Sequence, residues 1–87
     1  MSVFLDNLPS IPDQCLVELL NAMQDADQDR GYMEPISQSS IGRFRHIFQD
    51  INQALSGSNQ RPLPLDDDGI LGEVRSYNMY VIKKHIH

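Results

Sequence analysis

Three groups of residues in this 87-residue chain are of types, and at spacings, that could do chemistry. Asp25-Ala26-Asp27-Gln28-Asp29 places carboxylates where positions one, three and five of an EF-hand loop hold calcium. The second half departs from that loop. Arg30 stands where a glycine makes the sharp turn, Ile36 stands where a bidentate glutamate closes the shell, and Glu34 comes two residues early. The segment therefore reads as a solvated acidic loop or a partner surface, with no metal. Ser39-Ser40-Ile41-Gly42-Arg43-Phe44-Arg45 has the small polar residues and arginines of a recognition helix, which meets base edges and phosphates. Only Arg43, Arg45 and His46 make that face basic, so the plain alternative is a capped amphipathic helix with solvated arginines. The third group is acidic: Asp66, Asp67, Asp68 and Glu73, with Asp50 earlier in the chain. Such carboxylates can stand in for nucleic-acid phosphates and meet a basic protein groove, and the plain alternative is a solubility-giving surface.

No catalytic set accompanies them. Cys15 falls beside an apolar stripe and reads as a packing residue, and as a lone cysteine it can form neither an internal disulfide nor a CxxC site. His46, His85 and His87 lack metal-ligand spacing. The expectation is a protein that is not an enzyme and needs no cofactor. Twelve acidic residues against seven Lys and Arg leave a net charge of -5, which repels phosphate and attracts cationic partners. The apolar runs fall far short of the ~20 residues that cross a bilayer. The start, MSVFLDNLPS, lacks the basic and apolar stretches of a signal peptide, which reads as cytoplasmic.

The elements that must position these groups follow from periodicity. Ser10 as cap and Pro12 in the first turn open a helix over about 11–24, with Leu16, Leu19, Leu20 and Met23 inward. Residues 25–37, with Gly31 and Pro35, read as a loop. Ser37 or Ser39 can cap a second helix over 38–56, where Ile41, Phe44, Phe48, Ile51 and Leu55 step by three and four and Gly57 ends the run. Pro62 and Pro64 make the next stretch irregular, with Leu63 and Leu65 pinning it to the core. Asp66 to Asp68 then open a third helix over 67–82, whose inward positions are Ile70, Val74, Tyr77 and Val81. Gly69, Gly72 and the strand-forming run from Tyr77 to Ile82 leave a hairpin over 74–86 open as the alternative. The fold expected is all-α: one domain over 1–87, a small antiparallel bundle of three main helices with a further short helical turn in the Pro-rich connection.

The order of these pieces resembles the small acidic immunity proteins that neutralise nuclease bacteriocins. The likeness is closest to the colicin D type, through Ile41-Gly-Arg-Phe44-Arg-His-Ile-Phe48-Gln-Asp50, then Pro62 to Leu65, then Asp66-Asp-Asp-Gly-Ile-Leu-Gly-Glu73-Val74-Arg75-Ser76. The immunity proteins of DNase colicins share the layout through Ser56-Gly57-Ser58 and Asp66 to Asp68, but their paired tyrosines are replaced here by Arg61-Pro62-Leu63-Pro64. The resemblance implies a monomeric bundle that binds the toxin's basic nuclease domain in a one-to-one complex and touches no nucleic acid or membrane. Asp66, Asp67, Asp68 and Glu73 would be its leading contacts and Asp50 the next, with Arg43, His46 and Gln49 tuning specificity. The runner-up is a small helix-turn-helix regulator reading DNA with residues 38–56, and a third reading is an inhibitor of some other nucleic-acid enzyme.

Overall fold

The computed structural model describes residues 2–29, 38–57 and 60–85. Helix α1 spans Val3–Asp6, a 3-10 turn spans Leu8–Ser10, and the long helices are α2 (Asp13–Asp29), α3 (Gln38–Leu55) and α4 (Asp67–His85). The chain is a small all-α bundle of three main helices, with no strand among the described residues. α3 is the central element. Its stripe of Ile41, Phe44, Ile47, Phe48, Ile51 and Leu55 is buried, and it packs on α2 and on α4. Gly57, at φ 90°, supplies the left-handed residue that ends the helix.

Two boundaries of α2 differ from the periodic reading. The helix starts at Asp13, because Pro12 restricts Ile11 to extended backbone (φ −82°, ψ 128°) and the Ile11 side chain is buried in the core. Ser10 lies in the 3-10 turn, and the Pro12 carbonyl accepts from the Cys15 and Leu16 amides in the role expected of a cap. At the other end Asp25, Asp27 and Asp29 are helical, not looped. Ala22 and Ala26 continue the buried stripe of Leu19 by steps of three and four, and no breaker occurs before Gly31. The stripe is accordingly centred on Leu19, Ala22 and Ala26, with Cys15, Leu16, Leu20 and Met23 half-buried on its flanks. α3 begins at Gln38, so Ser39 is inside its first turn; Ser37 and Glu34 lie outside the described residues.

The short helical turns stand at the N-terminus, and the described part of the Pro-rich connection, residues 60–65, holds none. Phe4 on α1 is fully buried, 5.9 Å from the ring of Phe48 and 4.8 Å from that of Tyr77, so it closes the seam between α3 and α4. In the connection, prolines at 62 and 64 prevent a helical ladder. The Asn52 carboxamide takes the ladder's place, accepting from the Leu63 amide at 2.7 Å and donating to the Leu63 carbonyl at 3.1 Å. Leu63 is buried, whereas Leu65 is exposed and contributes its carbonyl to Arg45. The segment thus runs back along α3, and α4 starts beside Arg45. α4 continues to His85, which removes the hairpin alternative. Burial of Ile70, Val74 and Tyr77 on one helical face outweighs the strand preference of its last turns.

Candidate acidic partner surface

The start of α4 assembles as its sequence predicts. Asp66 caps the helix: its Oδ2 accepts from the Gly69 amide at 3.0 Å, and its carbonyl accepts from the Ile70 amide at 2.9 Å. Asp67 and Asp68 lie in the first turn, where the helix dipole favours negative charge. Asp67 is ion-paired with Arg45, whose Nε also donates to the Leu65 carbonyl at 2.9 Å. Asp66 and Asp68 are exposed, and Asp68 has no polar partner among the described residues.

The other proposed contacts are distributed differently. Asp50 and His46 are exposed on α3. Arg43 reaches Asp25 of α2, and Asp50 is close enough to Cys15 to raise the thiol's pKa, so this side of α3 faces α2. Arg45 and Asn52 face the connection and α4 instead. His46 stands between the two sides. Asp50 and Asp66 to Asp68 therefore flank α3 on opposite sides and do not converge on one point.

Glu73 has internal work. Its carboxylate accepts from Ser2 Oγ at 2.6 Å, the Val3 amide at 3.2 Å and the Phe4 amide at 2.8 Å, while Ser2 Oγ accepts from the Leu5 amide at 3.1 Å. It thereby satisfies the donors that open α1 and ties that helix to α4. These three bonds take most of the carboxylate's roughly four lone-pair directions, which leaves little for a partner's cation. The sequence reading missed this role; the only local sign was Ser2, a capping residue before the apolar trio Val3, Phe4 and Leu5.

In the same geometry Arg43 and Arg45, the two arginines of the recognition-helix reading, both end on carboxylates. Asp25, expected in an acidic loop, is one of those partners. The described residues hold no cluster of His, Cys, Asp and Glu fit to bind a metal ion, and no helix is long and apolar enough to cross a membrane. Cys15 is half-buried, and burial first, then Glu18 and Asp50, push its thiol above the ordinary value, the opposite of an activated nucleophile. No family model, curated protein or solved structure matches the chain, so the acidic surface stands on its own geometry.

Proposed function

We propose that the protein is a stoichiometric inhibitor that blocks a cationic nuclease toxin by offering carboxylates in place of nucleic-acid phosphates, as the small acidic immunity proteins do. The observation that carries this reading is the imbalance of free charge around α3. Arg43 and Arg45 are consumed by Asp25 and Asp67, while Asp50, Asp66 and Asp68 remain exposed. A basic cleft meets such a surface by charge complementarity, with fast, salt-sensitive association. Asp66, Asp68 and Asp50 are its contacts, His46 and Gln49 modulate it, and Glu73 acts through the fold. DNA recognition by residues 38–56 is the weaker reading, because each of its arginines stands beside a carboxylate that offsets its charge toward phosphate, within a chain of net charge -5.

The test pairs the purified protein with the nuclease domain of the toxin encoded by a neighbouring reading frame. Equimolar protein should abolish cleavage, and Asp50→Asn with Asp68→Asn should slow association and flatten its salt dependence, while the loss of first-turn charge at Asp68 costs only about 0.3–1 kcal/mol of stability and leaves the fold intact. Unimpeded cleavage, or a shift of duplex DNA at micromolar protein that Arg43→Ala removes, would overturn the reading.

A further inference from the structure

α4 carries apolar side chains on two sides. Ile70, Val74 and Tyr77 face the core, while Met79 (54% exposed) stands in solvent on the side away from it and Ile82 (42%) on the flank between. Gly72 lies on that outer side with nothing within 4 Å of where a Cβ would be, so the helix surface is bare there. Ser76, one turn on, is half-buried, and with Met79 and Lys83 it lines an open groove shared with Ser2 and Leu5 of the α1 region.

The outer face is also polar in the electrical sense. Asp68 stands at one end and Lys83 at the other, about 22 Å apart at helical rise, and neither has a polar partner among the described residues. Lys84, by contrast, sits 5.8 Å from the centre of the Tyr80 ring. Asp68, Gly72, Ser76, Met79 and Lys83 follow steps of four, four, three and four, which keeps them on one face.

We propose that this face docks a second copy of the chain, with the two α4 helices antiparallel about a two-fold axis. Asp68 and Lys83 are equally far from a midpoint between Arg75 and Ser76, and Gly72 and Met79 share that midpoint. A single axis there sets Asp68 of each copy against Lys83 of the other and lays each Met79 over the bare backbone at Gly72 of the other. A contact of this kind is isologous and closes at two copies. The complementarity selects the occupant: a uniformly charged partner would satisfy one end of the face and oppose the other, whereas the same face inverted satisfies both. The pairing differs from the monomer that the immunity-protein resemblance implies; it does not rest on the inhibitor role, but it engages the same Asp68, so self-association and toxin binding compete for that carboxylate.

Sedimentation equilibrium up to millimolar protein tests it. The parent chain should approach twice its monomer mass as concentration rises. Asp68→Lys alone sets lysine against lysine twice per dimer, and Lys83→Asp alone sets aspartate against aspartate. Each should weaken association by about tenfold. The double variant Asp68→Lys/Lys83→Asp should restore it to within about threefold of the parent, although both changes oppose the helix dipole. Circular dichroism of each variant would show that α4 is still formed. A parent that stays monomeric throughout overturns the proposal. So does a dimer indifferent to the single reversals, or one that the double reversal fails to recover.

Discussion

Gly69 and Gly72 occupy neighbouring turns of one helix and answer to opposite constraints. A Cβ on Gly69 would lie 2.6 Å from Pro64 Cβ and 2.7 Å from Asp66 Oδ1, so the connection can pass beneath the first turn of α4 only because that residue has no side chain. A Cβ on Gly72 would meet nothing. Gly69→Ala should therefore cost about 1–3 kcal/mol through the forced shift of Pro64. Gly72→Ala should add about 0.5–1 kcal/mol by restricting the unfolded chain and raising helix propensity. Denaturant melts of the two variants in dilute protein check the pair, and equal effects would contradict the close approach at Pro64. Both glycines look alike in the sequence as helix-weakening residues. The difference arises from where the Pro-rich segment passes, which no local pattern records. The cap at Asp66 and the termination at Gly57 were legible, because each acts on backbone within three or four residues of itself.

At the scale of the element, legibility follows the strength of the repeat. The stripe of α3 is long and unbroken, and the five residues its spacing names are all buried, joined by Ile47. The end of α2 was obscured because aspartates at 25, 27 and 29 look like punctuation, although Ala22 and Ala26 carry the buried face through them. α1 had no readable repeat in its four residues, since its stability comes from partners about seventy residues away. Glu73 was assigned to the outer surface for the same reason: its charge is visible in the sequence, but its donors are not. Glu73→Ala should thus behave as a fold variant, costing about 2 kcal/mol and lowering the melting temperature by roughly 10 °C. Glu73→Gln, which keeps one carbonyl acceptor, should lie between it and the parent. A Glu73→Ala protein with unchanged melting and impaired partner binding would return the residue to the surface site.

The molecule as a whole is held by one core in which Phe4, Phe48, Tyr77 and Leu19 come from four different helices. The two ion pairs among the described residues lie at the surface and add little, about 0–1 kcal/mol each, and chiefly fix where α2 and α4 meet α3. Two neutral acids at the margins of this core give it a pH limit. Burial raises Tyr77 above 10.0, with Tyr80 adding to the shift, and burial raises Cys15 above 9.0. Both groups are more reluctant to ionise when folded, so their contribution is complete below pH 9 and is lost as pH rises through the folded values. Urea midpoints should hold level from neutral pH to about pH 9 and fall beyond it, less so in Tyr77→Phe; a midpoint that rises above pH 9 would contradict the shifts. The tie between Glu73 and residues 2–4 also orders events in time. At about 5–20 residues per second, Phe4 is made several seconds before Tyr77 and Glu73. Until then the ring has no pocket and the α1 amides have no carboxylate. The nascent chain must carry an exposed aromatic until α4 is made, and this bundle closes only once that helix has left the ribosome.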